Sequence, residues 1–388
     1  MPIRRVLRPV HELSESGKLA GLLLLLATAV SLLLSNSAQG PAYLKFWEQH
    51  VGTGMLNKSI THWINDGLMT VFFFLVGLEI KREVLAGELA APRQALLPAL
   101  AAVGGVVVPA LVHLAFNHGT PAAVGWAVPT ATDIAFSLGI LALLGKRVPT
   151  GLRIFLTALA IIDDLLAVLI IAFFYAGSWH WAYLGGAAGI LAALALLNRR
   201  GVRTLAPYLV LGLGLWACVL QSGIHATVAG VLLAITIPLP QIARLEHALQ
   251  RPVNYLLLPL FALCNTAIAL SGGLGTALGS GPALGIGLGL VLGKPLGIVG
   301  VVALLVRLGA ARLPAQVGWQ HLVGLGFTAG IGFTMAIFIA NLAYYTPQQA
   351  DAAKLAVLLG SGVAALIGSV ILWLAPTTEA SDPTAPLA

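Results

Sequence analysis

The sequence predicts an all-α membrane protein of about twelve transmembrane helices, built with inverted-topology repeats and two interrupted helices, the fourth and the eleventh. Three observations lead there. Apolar residues make up 59% of the 388 and charged residues only 9%, whereas a water-soluble domain carries about 25% charged residues. Apolar runs of roughly the 20 residues needed to cross a bilayer recur along almost the whole chain. The basic residues between those runs alternate from side to side. A soluble enzyme, a nucleic-acid-binding protein and a disordered scaffold are excluded together. The net charge of +7 therefore matters through the placement of Lys and Arg, not as a sign of an anionic partner.

The first run, residues 17–36, follows Arg4, Arg5, Arg8 and Lys18. No small-x-small cleavage signal stands near Ala38, so it reads as a span and not as a removed leader. Residues 37–58 form the longest external loop, with a turn at Gly52–Thr53–Gly54 and no alternating strand pattern. Further runs lie near 61–80, 96–116, 126–145, 151–175, 181–197, 205–220, 224–239, 253–271, 282–306, 319–344 and 353–374. Seventeen of the 21 Lys and Arg fall on the side of the first basic segment. Lys45, Lys58 and Lys354 fall on the other side, and Lys294 lies inside a run. Under the positive-inside rule both termini are cytoplasmic, because a miscounted span would have inverted every later loop. Residues 1–375 read as one integral membrane domain and 376–388 as a short disordered cytoplasmic tail. Cys218 and Cys264 each sit in an apolar run without a Cys-x-x-Cys partner, which leaves no disulfide framework or thiolate metal site.

Two runs are broken. Pro129, Thr130, Thr132 and Asp133 interrupt the fourth, and Gly326, Gly330 and Gly332 interrupt the eleventh. Proline removes an amide donor, and Thr and Asp side chains bond locally to backbone. Unwound backbone at membrane depth survives only inside protein or beside a wet cavity. The broken runs are the middle members of runs three to five and ten to twelve. Paired interruptions at corresponding positions of inverted repeats mark the binding site of a secondary transporter.

Most acidic residues lie at span ends, in loops or in the tails. The exceptions are Asp133, Asp163 and Asp164, with Glu79 at the inner end of the second run, and Lys294 is the one cation near their depth. An ionisable group at a helix centre costs roughly 2.5–3.5 kcal/mol, so such residues point to function or to a buried ion-pair network. Asp163 and Asp164 are consecutive, and successive helical residues point about 100° apart. One carboxylate is expected to face a water-filled cavity and the other a partner helix. Hard oxygen ligands suit a small hard cation such as Na⁺ or Li⁺. A proton and that cation compete for the same oxygens, which suffices to couple their movements. His225 lies near the external end of the eighth run, where it either reports pH or bonds locally.

The segments Phe72-Phe73-Phe74-Leu75-Val76-Gly77-Leu78-Glu79-Ile80-Lys81-Arg82-Glu83, Pro129-Thr130-Ala131-Thr132-Asp133-Ile134-Ala135-Phe136 and Ile161-Ile162-Asp163-Asp164 resemble the bacterial NhaA sodium/proton antiporter family. So do Gly223-Ile224-His225-Ala226-Thr227-Val228-Ala229-Gly230, Gly293-Lys294-Pro295-Leu296-Gly297 and Gly330-Ile331-Gly332-Phe333-Thr334-Met335, and the six run in order over nearly the whole chain. The resemblance implies a transporter, not an enzyme, with no cofactor: an electrogenic Na⁺(Li⁺)/H⁺ antiporter of the bacterial inner membrane, embedded in the lipid bilayer. It implies that Asp164 with Asp163 binds cation and proton, that Lys294 pairs with Asp163, and that Thr132 lies beside the cation. Asp133 and Lys294 would neutralise the ends of the broken helices. Glu79, Glu83, His225 and Glu246 match positions tied to a pH response. The family dimerises through a β-hairpin, and the segment 37–58 looks shorter than that hairpin, so a homodimer is an expectation of the family more than of this loop.

Two other readings stay open from the residues. A sodium-coupled organic-solute symporter would need a roomier cavity. An intramembrane aspartyl protease would need its two aspartates on different helices, and here they are adjacent, with no Gly-x-Gly-Asp anywhere in the chain.

Overall fold

A computed structural model describes residues 3–54, 57–270 and 274–376. Of the expected tail at 376–388, residues 377–388 lie outside the described residues. The first helix, α1 (Ile3–Ser35), ends where Asn36 donates its amide to the carbonyls of Leu32 and Ile268, both at 2.8 Å. A short α2 (Gly40–Glu48) turns back at 114° to the membrane part of α1. There follows an antiparallel ribbon of β1 (His50–Val51) and β2 (Lys58–Ser59), which the loop was not expected to form. Strands of two residues are too short to display alternation, and the turn between them rests on Gly52 and Gly54, at φ 110° and 56°.

The membrane helices then run α3 (Ile60–Ala86) and α4 (Pro92–Asn117), a 3₁₀ segment (Pro121–Thr130), α5 (Ile134–Leu143) and α6 (Thr150–Phe174). They continue with α7 (Trp181–Arg199), α8 (Ala206–Ser222), α9 (Val228–Thr236), α10 (Leu239–Pro252) and α11 (Leu258–Asn265). The chain closes with α12 (Leu274–Leu278), α13 (Gly281–Arg307), α14 (Trp319–Ala329), α15 (Phe333–Ala343) and α16 (Pro347–Leu374). Among the described residues six helices are long and apolar enough to cross a membrane, and up to nine if each bent pair is one span. The runs at 205–220 and 224–239 give shorter helices, of 17 and 9 residues, and the run at 253–271 continues α10 through a π turn (Val253–Leu257) into α11 without a break. Gly223 at φ 90° ends α8, and Pro238 stops α9 within two residues.

The protein is an all-α, multi-pass membrane protein, and its surface is inverted accordingly. Leu213 and Val210 are 70% and 69% exposed, while Asp163 and Lys294 are 1% and 0% exposed. Lipid is as apolar as Leu, so nothing drives such side chains inward, and helix contact relies on small residues. The contact that places the site is of this kind. A Cβ built on Gly104 of α4 would collide with the carbonyl of Gly297 of α13, and one on Gly297 with the carbonyl of Gly104. The two backbones touch there, one turn beyond Lys294. A π turn (Gly289–Gly293) precedes that lysine and relieves the conflict between Pro295 and the turn before it.

Candidate functional site at the crossing of two broken helices

The 3₁₀ segment ends at Thr130 and α5 begins at Ile134, with a bend of 41° across the gap; α14 ends at Ala329 and α15 begins at Phe333, with a bend of 43°. The two gaps cross each other. The Asp133 amide donates to the Ile331 carbonyl at 2.7 Å. Thr132 Oγ1 donates to the Ala329 carbonyl at 2.8 Å, and Ser137 Oγ to the Thr328 carbonyl at 2.9 Å. In return Ser361 Oγ of α16 accepts the amides of Gly332 at 3.2 Å and Phe333 at 3.1 Å. Backbone groups freed by the breaks thus find partners inside the protein, the condition for unwinding at this depth.

The charges match the helix ends. Asp133 caps α5 through Oδ1, which accepts the Phe136 amide at 3.0 Å. Its Oδ2 accepts the Thr334 amide at 3.2 Å and the Thr334 hydroxyl at 2.5 Å, at the start of α15. One carboxylate therefore serves two positive N-termini. Lys294 Nζ donates to the Thr130 carbonyl, at the negative end of the 3₁₀ segment, and to Asp163 Oδ2 at 2.7 Å. Both partners of that ion pair are enclosed, at 0% and 1% exposure.

Asp164 is directed elsewhere. It lines a cavity of about 50 Å³ with Asp133, Glu79, Thr334 and Asn254. Oδ1 of Asp163 and Oδ1 of Asp164 are both buried without a hydrogen-bond partner, and Thr132 lies against Asp163. An unsatisfied buried carboxylate oxygen costs the full desolvation of that atom, and a bare cation or a proton would satisfy it. Among the described residues no three His, Cys, Asp or Glu side chains gather as a metal cage. A hard cation here would be held by the two carboxylates with hydroxyl and carbonyl oxygens.

The four residues for which the resemblance implies a pH response separate into two places. Glu79 and Glu83 stand one turn apart on α3, Glu79 on the cavity wall and Glu83 at 3.2 Å from Arg82. Arg82 also pairs with Glu246 of α10. Burial holds the Glu246 carboxyl above the ordinary value of 4.5, against the pull of Arg82 downward. His225 is not part of this chain of charges. Its Nδ1 lies 3.8 Å from Asp66 Oδ1, beyond hydrogen-bond distance, and its ring stands edge-on to Phe338 at 5.7 Å.

Sequence reasoning missed two features. Ser361 gave no signal, being one serine in a long apolar helix. The carboxamides Asn65, Asn265 and Asn341 join α3, α11 and α15: Asn265 accepts from Asn65 at 3.2 Å and from Asn341 at 2.6 Å, and donates to Asn65 at 2.9 Å. Amides inside apolar runs were the available clue.

The family described as Na⁺/H⁺ antiporter 1 matches residues 11–372. The chain is 48% identical over 392 residues to a protein named Na(+)/H(+) antiporter NhaA from Mesorhizobium japonicum, covering 97% of this chain and 98% of that one. It is 50% identical over 379 residues to a protein of the same name from Paramagnetospirillum magneticum, covering 93% and 95%. A third, from Cytophaga hutchinsonii, is 48% identical over 371 residues, covering 94% of each chain.

Proposed function

This chain belongs to the Na⁺/H⁺ antiporter 1 family, and we propose that it exports Na⁺ or Li⁺ across a bacterial inner membrane in exchange for protons, by alternating access. The observation that carries the reading is the crossing of two broken helices, where Asp163 is paired with Lys294 and Asp164 faces a cavity. In the mechanism, Asp164 loses its proton toward the side of the basic loops and accepts the cation. The cation draws Asp163 away from Lys294, and a second proton leaves that pair. Rocking of the crossed segments exposes the site on the other face, where protons return and the cation departs. More protons enter than cations leave, so exchange is electrogenic. Each pH unit supplies about 1.4 kcal/mol per proton, and each net charge crossing 100 mV adds about 2.3 kcal/mol.

The topology belongs to the same proposal. The short helices α8 and α9 and the apolar second half of the continuous α10–α11 helix bring the nine possible spans to twelve, with both termini cytoplasmic and residues 1–375 forming one transport domain. Helices α4–α6 and α13–α16 form the two inverted halves. The chain Glu79–Arg82–Glu83–Glu246, which leads from the cavity to the basic side, sets the pH response, with His225 acting from the other end. The β1–β2 ribbon, where Val51 is 54% exposed, supplies an edge through which a second copy adds to the sheet.

A solute symporter fits less well. Small-molecule pockets have roughly 300–1,000 Å³, whereas the cavity at Asp164 has about 50 Å³, room for a cation and little else. The test is a pH gradient imposed on proteoliposomes and challenged in turn with Na⁺, Li⁺, K⁺ and choline. Collapse of the gradient by Na⁺ and Li⁺ alone supports the proposal. No proton movement with any cation overturns it.

A further inference from the structure

One apolar recess in the membrane region does not touch the carboxylates. It is a groove of about 800 Å³ between α1, α5 and α16, walled by residues such as Leu25 and Thr28 of α1, Phe136 and Ile140 of α5, and Ser361 and Ala365 of α16. Its walls reach from Leu19 to Leu32 along α1. Thirteen residues of helix rise about 20 Å, more than the ~15 Å depth of one leaflet's hydrocarbon.

Both ends of the groove have a distinct chemistry. Its inner wall includes Ile331, within the second helix break, Phe333, just after it, and Ser361, whose hydroxyl holds the amides of Gly332 and Phe333. Water standing in the groove would compete for those bonds, so the groove has to be filled by something apolar. At the other end the walls reach Leu143 of α5 and Ser369 of α16. Four residues beyond each, Arg147 and Trp373 meet. The Arg147 guanidinium lies 4.9 Å from the Trp373 ring centre and donates to its carbonyl at 2.7 Å. That leaves further guanidinium donors at the groove mouth, on the side where the basic residues collect. Arg is suited to phosphate because its planar fork presents several donors at once.

We propose that this groove is a binding site for an anionic phospholipid, with one acyl chain laid along α1, α5 and α16 as far as the second helix break and the headgroup phosphate paired with Arg147. The occupant is a membrane lipid because the groove lies within spanning helices, opens toward the bilayer, exceeds one leaflet in length and carries a cation at its mouth. The acyl chain keeps the Ser361 bonds dry, and the phosphate sets the depth of the chain.

The experiment reconstitutes the full-length protein in vesicles of phosphatidylethanolamine doped with phosphatidylglycerol carrying a photoreactive acyl chain, or with phosphatidylcholine carrying the same chain. Labelled peptides are mapped by mass spectrometry. The expected result is labelling concentrated on α1, α5 and α16, at least threefold higher with phosphatidylglycerol. Arg147→Gln should bring the two lipids to equal labelling. Gly362 lines the groove and has nothing within 4 Å of a built Cβ, so Gly362→Trp should occupy the space and remove the label, and Gly362→Leu should reduce it. Labelling spread evenly around the protein, or unchanged by both Gly362 variants, would overturn the site. Equal labelling by the two lipids in the wild type would overturn the phosphate contact with Arg147.

Discussion

Asp163→Asn leaves Lys294 as a fully enclosed cation hydrogen-bonded to the Thr130 carbonyl but without its ion-pair partner, since both charges are within 1% of complete burial and their contact is 2.7 Å. Removing one partner of a buried pair costs about 3–5 kcal/mol, because the remaining charge is uncompensated. At a typical unfolding entropy near 2 cal/mol/K per residue, that cost lowers the melting temperature of a chain this long by about 4–6 °C. Replacing both partners, as Asp163→Asn with Lys294→Gln, removes two charges from a dry site and should restore most of the loss. Asp164→Asn should behave oppositely to its neighbour. Its Oδ1 has no partner, so losing that charge leaves the melting temperature unchanged or raises it. The assay is thermal unfolding in one detergent at fixed pH and without Na⁺, for wild type, the three single variants and the double. Simple additivity of Asp163→Asn and Lys294→Gln, or equal losses for Asp163→Asn and Asp164→Asn, would refute the assignment of the ion pair.

Ser361→Ala takes the shared acceptor from two backbone amides at the second break; a loss of about 1–3 kcal/mol is expected, and Ser361→Cys should recover part of it in the same melting assay. Gly297→Leu forces α13 off α4 where the backbones touch, and overpacking of this kind costs about 1–3 kcal/mol; its partner Gly104→Leu should add no comparable second loss, which a double variant measures. For Glu246 the carboxyl value is raised in the folded protein above 4.5. The stability it contributes is therefore complete at pH below 4.5 and is lost as pH rises through the raised value. Wild type should lose stability relative to Glu246→Gln over that rise, and parallel melting curves at every pH would contradict the burial cause.

Much of the site is legible in the sequence because charge at membrane depth is costly. Asp133, Asp163, Asp164 and Lys294 stand out from apolar neighbours, and Pro129 with the glycines at 326–332 marks where helices break. Chain order alone could not decide which of two adjacent carboxylates meets the lysine, since that depends on how α6 is rotated against α13. The close contact of Gly104 and Gly297 fixes where α13 lies against α4, and neither glycine differs in sequence from the many others in apolar runs. Ser361 acts through two backbone amides that lie 28 and 29 residues earlier in the chain, a relation no local pattern contains. The β1–β2 ribbon escaped for a different reason. Its strands are two residues long, and the turn joining them rests on Gly52 and Gly54 instead of on side-chain alternation. Helix length was the least legible quantity. The short helices α8 and α9 come from apolar runs like any other, cut by Gly223 and by Pro238.

The central claim is that a proton and a cation compete for the oxygens of Asp163 and Asp164. Its most direct test is the affinity of the purified protein for Na⁺, measured by calorimetry between pH 6 and 9 alongside the protons released into buffers of different ionisation heat. For each proton displaced, the apparent affinity should tighten about tenfold per pH unit on the acid side of the titration, with matching proton release, and Asp164→Asn should show neither. Na⁺ binding of constant affinity and without proton release, or unchanged in Asp164→Asn, would contradict the account.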